Sequence, residues 1–201
     1  MERCAWCGHS NEKMLAYHDE EWGVPLHDEK KQFEFLMLEA LQCGLSWELM
    51  IRKRDIFHAC FDSFDFEKVA CYGGGDIECI LNTDGMLRSP QKIEAVIHNA
   101  RCFLKLREEF GSFDAYLWGW SEGKVLLYEG HERGDIPAKN GLSTDIAADL
   151  KKRGFKYLGP TTVYSYLQAC GLINDHQKNC FRYKTVMEGQ DVKHLPRDRE
   201  G

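Results

Sequence analysis

DIAADLKKRGFKYLGPTTVYSYLQAC, residues Asp145 to Cys170, places two helical patterns on either side of a glycine-bearing turn, and the fold is framed by it. A helix from about Asp145 to Arg153 leads into Gly154-Phe155-Lys156-Tyr157-Leu158-Gly159-Pro160, and a second helix runs from Thr161 to Cys170. The segment is a helical hairpin with a tight turn. Amides at the start of its second helix lack intrahelical partners, and the positive end of the helix dipole makes that end suited to a DNA phosphate. Lys156, Gly159 and Thr161 are its candidate contacts. Helical hairpins are also common packing units, so the segment alone leaves both uses open.

Upstream, Phe33, Leu36, Met37, Ala40 and Leu41 follow helical spacing from Asp28 to about Gln42, and Phe35 and Leu38 add apolar surface elsewhere around that helix. It is expected to be largely buried. Ser46 caps a next helix running towards Phe57, and shorter helices are expected near 65–70 and 76–81, with Gly73-Gly74-Gly75 as the break between them. Ser89-Pro90 starts a helix that reaches about Phe110. Residues 121–143 read as the longest irregular connection, and the charged segment 184–201 as a poorly ordered tail, leaving 1–183 as one compact unit. No internal repeat is present.

A chain of 201 residues with 43% hydrophobic content buries a sizeable core. Without a signal core or an uncharged apolar run of membrane-spanning length, it is expected in the cytoplasm, away from membranes. Nine cysteines, an odd number, fit reduced thiols better than a disulfide framework. A net charge of −6 excludes a general nucleic-acid coat, so any DNA contact must be local. Arg52-Lys53-Arg54 and Lys151-Lys152-Arg153 with Lys156 are the two basic clusters, and each fits a solvated helix face equally well.

Four potential zinc ligands sit at opposite ends of the chain. His176 and Cys180, four apart, would project from one face of a helix, while Cys4 and His18 lie near the start. Two Cys and two His form a closed tetrahedral set with no open position, which is a structural site. Spacing alone also allows Cys4 and Cys7, with His9 nearby, as the N-terminal pair. Cys4-Ala5-Trp6-Cys7 as a redox pair is disfavoured, because no strand precedes it.

Glu39 is the odd residue of the first long helix, a carboxylate among Phe35, Leu38, Ala40 and Cys43. Burying it is costly unless it is partnered, so it either reaches water or an arginine, or is held in an apolar pocket for function. Trp6, Tyr17, Trp22 and Trp47 are the aromatic residues that go with it. A carboxylate among indole faces suits a flat, positively charged ring.

Met1-Glu2-Arg3-Cys4-Ala5-Trp6, Ala16-Tyr17-His18-Asp19, Glu21-Trp22-Gly23-Val24-Pro25 and Gly44-Leu45-Ser46-Trp47 closely resemble the 3-methyladenine DNA glycosylase I family. At the other end, Lys151-Lys152-Arg153-Gly154-Phe155-Lys156, Gly159, Thr161-Thr162 and Gln168-Ala169-Cys170-Gly171-Leu172-Ile173-Asn174-Asp175-His176 look like its hairpin and closing segment. The resemblance covers most of 1–183 and is weak over 111–143. It implies an all-α, helix-hairpin-helix glycosylase fold and a monofunctional hydrolase that flips 3-methyladenine out of double-stranded DNA containing alkylated bases and leaves an abasic site. It also implies one structural zinc on Cys4, His18, His176 and Cys180, settling the choice against Cys7. Glu39 becomes the base-pocket carboxylate, with Trp6, Tyr17 and Trp47 as pocket aromatics, Trp22 as their neighbour and Leu45 as a plug for the gap in the duplex. A monomer is expected. Met14 departs from the pattern, standing where a tyrosine is expected near the pocket. A zinc-stapled DNA-damage or partner-binding module without catalysis is the alternative.

Overall fold

Helix α2, Glu29–Gln42, lies at the centre of the fold, and ten of its fourteen residues are buried. The computed structural model describes residues 1–7 and 11–197. Asp28 starts α2 by accepting the Lys31 amide at 2.8 Å. A helix that is apolar on most of its circumference must be enclosed rather than laid on a surface. Around it pack α3 (Trp47–Cys60), α6 (Pro90–Phe110), α7 (Phe113–Gly119) and α9 (Pro160–Ala169). The short α1 (Glu12–Glu20) packs on α3, and α4 (Phe66–Ala70) and α5 (Gly74–Asn82) pack on α6. Phe103 of α6 meets Phe33 of α2 edge to face at 5.1 Å and stacks on Phe113 of α7 at 4.2 Å, measured between ring centroids.

The hairpin is present, with α8 at Gly141–Lys152 and α9 after it. α8 begins four residues earlier than the sequence pattern suggested, because Asn140 and Ser143 cap each other reciprocally. Gly74 and Gly75, expected as a break, are the first residues of α5 instead. The Gly73 amide donates to Asp76 at 2.8 Å, and that cap outweighs the low helix propensity of glycine.

The all-α expectation needs a correction, since the mostly helical fold carries, among the described residues, one two-stranded parallel sheet. β1, Val125–Tyr128, pairs with β2, Val192–Leu195, in the register Val125↔Val192 to Tyr128↔Leu195. Both strands fall where irregular chain was expected, β1 inside 121–143 and β2 inside the tail. The segment expected as a tail thus carries this strand, preceded by the short α10 at Arg182–Thr185. Val192 and Leu195 pack against the core, and β1 is buried along its whole length. Four-residue strands carry too few side chains for an alternation to register in sequence. Residues 198–201 of the expected tail lie outside the described residues. Among the described residues no helix is long and apolar enough to cross a membrane.

Beyond α9 the chain turns at Gly171, whose φ is +69°. A Cβ there would stand 2.4 Å from the Val24 carbonyl carbon, because segment 23–26 runs against the end of α9 with Leu26 donating to the Cys170 carbonyl at 3.0 Å. Both the left-handed backbone and the close approach demand glycine. Gly171→Ala is expected to lower stability by about 2 kcal/mol or more, read as a shift in the urea midpoint with unchanged m. An unshifted midpoint would show that segment 23–26 yields without cost.

Candidate base pocket and terminal ligand cluster

Glu39 emerges from the buried face of α2 at the floor of a cavity of about 210 Å³, lined also by Trp6, Tyr17, Trp22 and Trp47. All five residues singled out in the sequence thus meet in one place. Tyr17 comes from α1 and packs on Trp47, the first residue of α3, with ring centroids 5.4 Å apart. Trp6 stands edge-on to Trp22 at 5.1 Å and remains 42% exposed, so it forms the rim.

The three buried polar residues of α2 have different surroundings. Gln32 donates its amide to the Leu26 carbonyl and to Asp114, at 2.8 and 2.7 Å, while its Oε1 has no partner. Glu34 accepts from Arg54 and pairs with His58, and Arg54 in turn makes two bonds to Glu21. Glu39, 3% exposed, has its Oε2 buried without any hydrogen-bond partner. Burial alone pushes its carboxyl up to about 8 from the ordinary 4.5. Burial, with the nearby Glu39 carboxyl second, also raises the Tyr17 phenol well above its usual value. An unpaired buried carboxyl open to a cavity is a site in want of a donor or a cation.

Four further residues line the cavity, namely Gln42, Ile136, Ser165 and Gln168. Gln42 lies three residues after Glu39 on α2, and Ser165 and Gln168 stand three apart on α9, so helical spacing held a signal for them. Ile136 comes from an irregular segment with no such signal. Met14 is buried within α1 and is not among the residues that line the cavity.

Cys4, His18, His176 and Cys180 are brought together and buried, with their ligand atoms all within 4.8 Å of one another. Sγ of Cys4 lies 3.4 Å from Nδ1 of His176, and Sγ of Cys180 lies 3.5 Å from both that nitrogen and Nε2 of His18. The other ring nitrogens are committed elsewhere, His18 Nδ1 to Asp19 at 2.8 Å and His176 Nε2 to the Trp22 carbonyl at 3.0 Å. Such outer partners aim imidazoles inward. Asp19 is itself held by a forked Arg3 contact, which lowers its carboxyl below the usual range. Burial lowers His176 to about 4 and keeps the ring neutral, the form that ligates. Amides of Gln177 and Arg182 point at the two sulfurs at 3.4 Å. The cluster can hold a metal. Cys7 is outside it, with its thiol donating to the Cys4 carbonyl at 3.3 Å, and His9 lies outside the described residues. Contrary to the helical expectation, His176 and Cys180 occupy a turn that ends before α10, which brings their side chains together by chain reversal.

Cavity and cluster share a wall. Trp22 lines the cavity and stands 4.6 Å from the His176 ring, edge to face. Gly23 follows with φ +78°, and a Cβ there would fall 2.7 Å from His176 Nε2.

Of the candidate DNA contacts, Lys156, Gly159 and Thr161 are exposed around the start of α9, and Leu45 is half-buried between α2 and α3. Each basic cluster has one arginine committed internally, while Lys151, Lys152 and Lys156 stay exposed. Arg54 is engaged by Glu21 and Glu34, and Arg153 by Glu109 and Asp149.

A mostly helical chain with a carboxylate-floored aromatic cavity is the class of protein this geometry defines. The family model for methyladenine glycosylase matches residues 6–183. DNA-3-methyladenine glycosylase 1 of Escherichia coli (strain K12) is 40% identical over 183 residues, 91% of this chain and 97% of its own length. A crystal structure of 3-methyladenine DNA glycosylase I aligns with a TM-score of 0.84 at 40% identity, over 90% of this chain and 98% of that one. A structure from Staphylococcus aureus, described for its recognition of 3-methyladenine, gives 0.84 at 37% identity over 90% and 96% of the two chains. This chain belongs to the methyladenine glycosylase family.

The lone carboxyl makes a prediction that is independent of activity. Because its pKa is raised on folding, the folded state keeps a proton that the unfolded chain releases, so stability is lost as pH rises from about 4.5 to about 8. Glu39→Gln is therefore expected to be more stable than the parent by a margin that grows across that window to a few kcal/mol, roughly 1.4 per pH unit. Urea unfolding at pH 5, 6.5 and 8 measures it. A margin independent of pH would mean that the carboxyl is solvated or paired.

Proposed function

We propose that this protein is a DNA glycosylase of base-excision repair that removes 3-methyladenine from alkylated DNA. It hydrolyses the N-glycosyl bond and leaves an abasic site. The observation that carries this is the unpaired Glu39 carboxyl at the floor of an aromatic cavity, in a chain of this family.

A purine methylated at N3 carries positive charge and is already a good leaving group. When its bond to the sugar breaks, the base takes the bonding electrons and departs neutral, while water supplies the hydroxyl on the sugar carbon and a proton goes to solvent. Little general acid is needed; the demand is for selection. Ionised Glu39 attracts the cationic base, Tyr17, Trp6, Trp22 and Trp47 offer ring faces and edges, and neutral adenine gains much less from the same cavity. Reaching it requires flipping the nucleotide out of the duplex, at a cost of roughly a few kcal/mol that is smaller for a damaged base. Leu45 fills the gap left in the stack. Residues around Lys156, Gly159 and Thr161 grip phosphate through amides and lysine, which lets an acidic chain hold DNA locally. In this reading the hairpin is of helix-hairpin-helix type, residues 1–183 with the added strand form a single unit, and the protein acts as a monomer.

The terminal cluster is proposed as a structural zinc site on Cys4, His18, His176 and Cys180. Sulfur-to-nitrogen separations of 3.4–3.5 Å suit the edges of a tetrahedron whose bonds are about 2.0–2.3 Å. A closed set of four protein ligands supplies no position for water, so the ion's part is to join the two ends of the chain.

Incubation with N-methylated duplex DNA and chromatography of the released bases should show free 3-methyladenine and no strand cleavage. Tight binding to methylated or abasic DNA without release would decide for a silent recognition module. As a free pocket holds Glu39 neutral below about 8 and the cation engages its ionised form, kcat/KM should rise with pH up to about 8 and then level off. Glu39→Gln should lose both that rise and most discrimination for the charged base; retained selectivity would remove Glu39 from the pocket role.

For Cys180→Ser the expected outcome is loss of one zinc per chain by metal analysis, with a melting temperature lower by about 10 °C or more. An unaltered melting temperature would show that the cluster is not a structural site.

A further inference from the structure

Helix α6 carries two polar side chains that the chemistry leaves unused. Lys92 and Asn99 are seven residues apart, two turns along one face. Lys92 extends its ammonium to the carbonyls of Leu41 and Cys43, 2.6 Å from each, where the negative end of α2 passes into the Cys43-Gly44-Leu45-Ser46 turn. Asn99, fully buried, donates to the Lys156 carbonyl at 3.0 Å and accepts the Lys156 amide at 2.8 Å, clamping the hairpin turn by its backbone. The two clamped segments also touch, with the Cys43 thiol directed at the Tyr157 carbonyl at 3.7 Å. Tyr157 sits at φ +60°, a conformation that a residue of its shape holds only under constraint.

We infer that Lys92 and Asn99 are positioning residues that hold the Leu45 turn and the hairpin at one fixed separation, so that the gap-filling side chain and the phosphate grip engage the same stretch of duplex together. This rests on the proposed assignment of Leu45 and the hairpin to DNA. Base flipping needs both contacts at once, since a wedge without a grip is expelled and a grip without a wedge leaves the base stacked. Referencing both segments to one 21-residue helix removes the entropy of finding that alignment anew at each encounter. Neither side chain is among those that line the base cavity, and the nearest lining residue, Gln42, is held by α2 itself, so the main effect falls on duplex engagement.

The test separates duplex engagement from the base pocket. Lys92→Met and Asn99→Asp are each expected to raise KM for methylated duplex at least tenfold, while affinity for free 3-methyladenine and kcat/KM on methylated single strands stay within twofold. Lys92→Arg, which keeps a cation for the two carbonyls, should recover most of the loss. Pairing the two should give less than the product of the single effects, because either one already frees the separation. Equal losses on duplex, single strand and free base would mean general destabilisation and overturn the inference, as would unchanged KM in both variants. Leu45→Ala serves as the reference. If it impairs duplex turnover and the α6 variants do not, only the positioning role fails; if it is itself without effect, the DNA assignment fails and the inference with it.

Discussion

A helix with almost no solvent face dictates the rest of this structure. α2 buries ten of its fourteen residues, so the chain must wrap it on every side, and α3, α6, α7 and α9 do so. Each polar group on α2 must then find a partner inside the shell. Arg54 satisfies Glu34, and Asp114 with the Leu26 carbonyl takes the Gln32 amide nitrogen. Gln32 Oε1 and Glu39 Oε2 are both left unpaired, and it is beside Glu39, the ionisable one of the two, that the shell opens into a cavity. Cavity and carboxyl are thus one feature: a closed shell would have made the charge intolerable, and a solvated one would have made it unselective.

The second constraint is that the wall of this cavity comes from both ends of the chain. Trp6, Tyr17 and Trp22 arrive from the N-terminal segment, Ser165 and Gln168 from α9, and the cluster of Cys4, His18, His176 and Cys180 ties the segments a few ångströms away. Trp22 takes part in both, through its ring in the cavity and its carbonyl on His176. Gly23 and Gly171 sit where these segments approach too closely for a side chain. A loosened cluster would displace one wall of the cavity relative to the floor, so the geometry of the ligand cluster and the geometry of the cavity are coupled.

Much of this was legible in sequence for identifiable reasons. α2, α6 and the hairpin announce themselves through periodicity and through Asp28, Pro90 and the Gly154-to-Pro160 turn, each a local signal that tertiary packing reinforces. The pairing of Cys4 with Cys180 was not derivable from spacing, which left Cys7 open, and it came from the family resemblance. Gln42, Ser165 and Gln168 were missed although they stand at helical spacing on helices already assigned, because nothing local distinguishes a cavity-facing glutamine from a surface one. β1 and β2 were missed for a different reason. A strand of four residues stabilised by a partner 67 positions away has no signature of its own, and the charged residues around Val192 outweighed it.

Part of the basic charge that sequence composition would assign to a DNA-binding patch is committed inside the protein. Arg54 and Arg153, the third residues of the two basic clusters, each bind two carboxylates, Glu21 with Glu34 and Asp149 with Glu109. What remains near the hairpin is Lys151, Lys152 and Lys156 beside a helix start. In the proposed function, a grip built from backbone amides and a few lysines would be weak on undamaged DNA, since it neutralises few phosphates. Weak general binding is an advantage to a protein that must examine a large excess of intact sites. On the proposed reading affinity is then concentrated in the cavity over Glu39, whose ionisation burial disfavours and a bound cation would restore.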